Sequence, residues 1–115
     1  PNGNEEDKAA RDHAIQEATL DAIEIPFMVM KKSFESMEVI KAMAETGNPN
    51  SVSDAGVGAL AARSAVMGAF LNVKINASGL KDKAFVEQIL AEGSDIQAKA
   101  IAMEAEILKI VDSKI

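Results

Sequence analysis

From Ser51 to Asn76 the chain runs SVSDAGVGALAARSAVMGAFLNVKIN with only three charged residues, Asp54, Arg63 and Lys74. Alanine dominates this stretch, which favours helix, and Ser53 or Asp54 offers a cap for its start. At about 3.6 residues per turn it predicts a helix of roughly seven turns. A helix that is apolar almost all round cannot face water on one whole side, so it must be central in a bundle or buried between subunits. The rest of the chain has to supply its cover.

The flanking segments have the right period. Asn4 caps a helix whose first turn carries Glu5, Glu6 and Asp7, matched to the helix dipole. Its apolar line is expected at Ile15, Ala18, Ala22 and Ile25. Pro26 then removes a helical hydrogen bond and predicts a kink. Beyond it Phe27, Met30, Phe34, Met37 and Ala44 continue the apolar line until Gly47, Asn48 and Pro49 stop it. ASGLKD reads as a turn, and a last helix is expected from Asp82 to Lys114, burying Phe85, Ile89, Ile96, Met103, Ile107 and Ile110. Gly93 and Ser94 weaken its middle and can bend or break it. No strand period occurs, and the heptads are too short to indicate a dedicated coiled coil. The expectation is an all-α, multi-helix bundle in which residues 1–115 form part of one domain. The polar opening from Pro1 reads as a turn and suggests an upstream segment.

Composition removes several functions. Without cysteine, and with His13 as the only imidazole in an acidic helix, neither thiolate catalysis nor a Cys-based zinc site can be built. A net charge of -6 with dispersed lysines argues against nucleic acid as a partner. No run of about 18 apolar residues and no signal peptide are evident, so no membrane partner is expected and the cytoplasm is the expected location.

With Asp54 at zero on a helical wheel, Gly58, Ala61, Ala65, Gly68, Asn72 and Asn76 fall within about 40° of one line. This face is small in the middle and polar at its ends. Small residues serve either close helix packing or the approach of a flat ligand. The asparagines serve either interhelical hydrogen bonds or recognition of a heterocycle's edge. Asp54 is either a cap or a proton-transfer group. Asp54 and Asn72 are eighteen residues apart, about 27 Å along a helix at about 1.5 Å per residue, so one subunit cannot bring both to one atom. An antiparallel second copy can.

The segment GNPNSVSDAGVGALAARSAVMGAFLNVKIN resembles the core of the formiminotetrahydrofolate cyclodeaminase and methenyltetrahydrofolate cyclohydrolase family. The likeness lies in a Gly-Asn turn at Gly47 and Asn48, Ser-Asp at Ser53 and Asp54, Val57, and Asn-Val-x-Ile-Asn at Asn72, Val73, Ile75 and Asn76. The acidic helix leading to Pro26 is also similar. The family's Pro-Gly-Gly-Gly-Ser type loop and Lys-rich helix, which come earlier in its members, do not occur here. The resemblance therefore implies the C-terminal part of a helical domain, completed by an N-terminal half outside this chain and by a homodimer or higher homo-oligomer. It implies cyclodeamination of 5-formiminotetrahydrofolate to 5,10-methenyltetrahydrofolate with release of ammonia, or hydration of the methenyl compound. Asp54 would be catalytic, with Ser53, Asn72 and Asn76 binding the tetrahydrofolate derivative. No metal and no cofactor beyond that substrate is implied. Lys31, Lys32, Arg63 and Lys74 are the candidates for a basic rim toward a folate tail. A helical oligomerisation module without an active site is the competing function class.

Overall fold

The structure, a computed structural model, describes residues 3–115. The opening at Pro1 and Asn2 lies outside the described residues. Three helices account for nearly everything: α1 (Glu5–Thr46), α2 (Pro49–Ala77) and α3 (Lys83–Lys114), with no strand among the described residues. They run up, down and up in an elongated slab of 68 × 22 × 15 Å. The long dimension follows from α1, whose 42 residues span about 63 Å at about 1.5 Å each.

The buried positions explain why the helices stay side by side. In α1 they fall every seventh residue, at Ile23, Met30, Met37 and Ala44. In α2 they alternate by three and four through Val52, Ala55, Ala59, Ala62, Val66, Ala69 and Val73. Ile89, Gly93, Ala100, Ile107 and Val111 continue the seam in α3. This is the spacing of helices that cross at a shallow angle. The heptads thus run the length of the bundle, where the sequence indicated only short ones. The apolar line at Ile15, Ala18, Ala22 and Ile25 needs correction: Ile15 and Ile25 are exposed, and Ile23 with half-buried Leu20 and Phe27 faces the core instead.

The turn between α1 and α2 also differs from expectation. Asn48 is the cap, its Oδ1 accepting from the Asn50 and Ser51 N–H groups at 3.0 and 3.1 Å, and Pro49 is the first helical residue. Proline needs no hydrogen-bond acceptor there and its fixed φ suits the position, so the residue that ends α1 starts α2. Ser53 and Asp54 therefore lie inside the helix and cap nothing. α1 has no basic residue in its last turn, but Lys114 from α3 donates to the carbonyls of Glu45 and Gly47. At the other end Gln16 holds the α2–α3 turn through the Gly79 carbonyl and the Lys81 N–H, and Asp12 pairs with Lys81 at 2.8 Å. The hydrogen bond from Lys41 to Glu106, 2.6 Å, raises the lysine pKa and joins α1 to α3.

α2 buries the most residues, as its composition requires, yet only one side is covered. Val57, Leu71 and Ile75 remain 65%, 65% and 71% exposed. By length and composition alone α2 is apolar enough to cross a membrane, although its apolar residues do not form one unbroken run. Its seam against two neighbouring helices accounts for a third of that apolar window.

α3 passes Gly93 and Ser94 unbroken because Gly93 has a packing role. A Cβ there would lie 2.4 Å from the ring of Phe70, itself buried at 1% exposure. Gly93→Ala should therefore lower stability by about 1–3 kcal/mol in urea unfolding, although alanine is the better helix former. A rise in the midpoint would contradict this packing.

Candidate functional site

On the side of the slab away from α3, α1 and α2 flank an open groove of about 580 Å³. Ala22, Ile25, Pro26 and Val29 form the α1 wall; Ala65, Gly68, Ala69, Asn72 and Asn76 form the α2 wall. The size falls within the range of small-molecule sites, and apolar walls with a few polar groups are their usual composition. Two smaller hollows lie elsewhere: one of about 260 Å³ carries Glu24 and Glu92, and one of about 420 Å³ carries Glu17, Glu24 and Asp82. Carboxylates disfavour an anionic ligand in the first, and the second mixes its carboxylates with His13 and with Lys81, which is paired to Asp12.

Proline determines one wall. Pro26 has no N–H, so the Ala22 carbonyl four residues earlier has no helical partner, and the ring pushes it away from the helix axis. α1 nevertheless continues without interruption from Glu5 to Thr46. Asn76 supplies the missing donor from α2, with its Nδ2 3.4 Å from the Ala22 carbonyl and 2.8 Å from the Asn72 carbonyl. Both amide hydrogens of Asn76 are thus engaged within the chain. The Asn72 side chain is exposed and makes no hydrogen bond among the described residues.

The sequence candidates separate into two groups. Asn72 and Asn76 share the groove, whereas Ser53 and Asp54 are exposed near the far end of α2. The eighteen-residue spacing again places Asp54 about 27 Å from Asn72. Among the basic candidates, Arg63 pairs with Glu104, while the Lys31 and Lys74 ammonium groups sit 5.5 and 4.4 Å from the rings of Phe27 and Phe70. Lys32 shares a face of α1 with Ile25 and Val29 by helical spacing and makes no ion pair among the described residues. His13 is surface-exposed and lies 3.1 Å from Glu17. Sequence reasoning missed the α1 wall. Its one available signal was a proline in mid-helix, which leaves a carbonyl to be satisfied by some other element.

Gly68 has no packing partner among the described residues: a Cβ there would meet nothing within 4 Å. Around it extends an apolar surface, with Ile25 and Val29 on α1 and Leu71 and Ile75 on α2, all exposed. Contiguous exposure of this kind marks a surface that something else covers.

Residues 1–95 match the family profile described as formiminotransferase-cyclodeaminase. The methenyltetrahydrofolate cyclohydrolase of Methylorubrum extorquens is 40% identical over 115 residues, all of this chain and 55% of that protein. The formimidoyltransferase-cyclodeaminase of Dictyostelium discoideum is 36% identical over 104 residues, 90% of this chain and 19% of that protein. The Rattus norvegicus protein of the same name is 26% identical over 114 residues, covering 99% of this chain and 21% of its own length. The chain therefore spans about half the length of the first relative and about a fifth of the other two.

Gly68→Ala should raise the urea midpoint of this chain by itself, since alanine is better than glycine by about 1 kcal/mol inside a helix and meets no obstacle. A fall in the midpoint would show that something approaches Gly68 closely.

Proposed function

The chain belongs to the formiminotransferase-cyclodeaminase family, and from that membership we propose that it forms the C-terminal part of a folate one-carbon enzyme whose ligand occupies the groove between α1 and α2. The observation that carries the proposal is local. The last part of the Gly47–Asn76 family likeness, Asn72 and Asn76, lies in the wall of an apolar groove of ligand size with an uncommitted amide at Asn72. A pterin is flat and has donor and acceptor edges, which suits small side chains at Ala65 and Gly68 beside a carboxamide. Lys32 is the cation placed to attract a glutamate tail.

Two reactions fit the family. In hydration, water adds to the bridging carbon of 5,10-methenyltetrahydrofolate, a proton is lost, and the N5–carbon bond opens to leave 10-formyltetrahydrofolate. In cyclodeamination, N10 of 5-formiminotetrahydrofolate attacks the same carbon and ammonia departs as the bridge forms. Identity of 40% over the whole chain to a cyclohydrolase supports hydration as the first choice, reversing the order suggested by sequence. The 36% identity to a cyclodeaminase keeps the second. Either reaction needs a proton acceptor or donor beside one carbon, and neither needs a metal or redox group.

We assign that proton transfer to Asp54, with Ser53 beside it. The separation along α2 means that Asp54 acts at the groove of another subunit, in an antiparallel homodimer or higher homo-oligomer that covers Val57, Leu71 and Ile75. The N-terminal half of the domain is the further partner, and a cytoplasmic enzyme is proposed.

The test uses the full-length protein, with methenyl hydration and formimino cyclodeamination followed in parallel. Asp54→Asn should lower kcat by about 10²–10⁴ in the operative assay, the usual range for losing a general acid or base. Thermal stability should hold, because Asp54 is exposed inside α2 and caps no helix. Undiminished turnover removes Asp54 from the chemistry, and acceleration of neither reaction by the wild type favours the oligomerisation module. Sedimentation should give a dimer or larger species. A monomer with full activity would exclude the cross-subunit arrangement.

A further inference from the structure

Asn76 lies in the motif that implies ligand binding, yet its geometry is that of a group already occupied. Its two amide hydrogens go to the carbonyls of Ala22 and Asn72, at 3.4 and 2.8 Å, and the side chain is half-buried. The Ala22 carbonyl needs this donor only because Pro26 is where it is. A carbonyl left without a partner is costly in proportion to its shelter from water, and this one is part-buried at the groove wall. The bond therefore holds the two walls of the groove together at the one point where α1 cannot bond to itself. The second bond, to the Asn72 backbone, anchors the amide on the turn that carries the Asn72 side chain.

We propose that Asn76 is a positioning residue: it replaces the N–H that Pro26 lacks, fixes α1 against α2 across the groove, and so holds Asn72 at the ligand. This rests on the folate assignment of the groove. Asn76 touches the backbone and not the substrate, and Pro26 and Asn76 work as a pair. Substituting Asn76 matters only while position 26 is proline. Once an N–H is restored there, the Ala22 carbonyl gains its ordinary helical partner and the interhelical bond becomes redundant.

The experiment is a double-mutant cycle on the full-length protein, using Asn76→Ala, Pro26→Ala and both together. Methenyl hydration, formimino cyclodeamination and urea unfolding are measured on each. In the native background Asn76→Ala should lower kcat/KM about five- to tenfold, mainly through KM, as expected for leaving a sheltered carbonyl unpaired. In the Pro26→Ala background the same change should cost less than about twofold, the remainder being coupling between the two positions. Asn76→Asp preserves size while removing both donors, and should behave like Asn76→Ala or worse in the native background. Equal losses in kcat/KM in both backgrounds would place Asn76 in direct contact with substrate and overturn the proposal. If wild type accelerates neither reaction, the folate assignment fails. The unfolding cycle still decides the bond: coupling between positions 26 and 76 supports it, and additivity rejects it.

Discussion

The narrow seam of α2 governs the structure. Ala55, Ala59, Ala62 and Ala69 are buried where α1 and α3 close on the helix, and side chains this small let the neighbouring backbones approach. Large residues then fill the remaining space from the outer helices, as Met30, Met37, Ile89 and Ile107 do, while Phe70 takes the gap left by Gly93. Such alternation of large and small residues gives native density without strain. Away from the seam, Ala65 and Gly68 leave little side chain beside α1, while Val57, Leu71 and Ile75 project from the uncovered side. A helix with small residues on two faces packs closely on the first and forms a shallow groove on the second.

Much of this was legible in the sequence because helices write a period into it. Three long helices, a nearly uncharged central one, and the line from Phe27 through Met30 and Met37 to Ala44 all follow from spacing. The errors lie where spacing does not decide. Ile15 and Ile25 are as apolar as Ile23, and only the placement of the neighbouring helices determines which of them is covered. Pro49 looks like a terminator until Asn48 is seen capping the helix it begins. Gly93 and Gly68 look alike in sequence, but one lies against an aromatic ring and the other meets nothing.

For the groove, local chemistry identified one wall and tertiary structure supplied the other. Asn72, Asn76 and Gly68 stand out as polar or small residues on an apolar helix, so a single sequence can nominate them. Ala22, Ile25 and Val29 are ordinary residues that matter through a contact fifty residues away in sequence. Pro26 announced that a carbonyl would be stranded, but not which side chain would reach it. Asp54 was sought as a cap or a catalyst, and the earlier start of α2 removes the first role without establishing the second.

The slab is 15 Å thin, little more than the width of a single helix with its side chains, so its apolar residues have no second layer of protein behind them. Whether Val39, Val57 or Leu71 counts as interior or surface is decided by what lies against the chain, not by the chain. Evolutionary tolerance at such positions follows the assembly. If a second surface docks there, a polar replacement that leaves the three helices undisturbed would still be selected against, and the outer face of α2 would drift as slowly as a hydrophobic core.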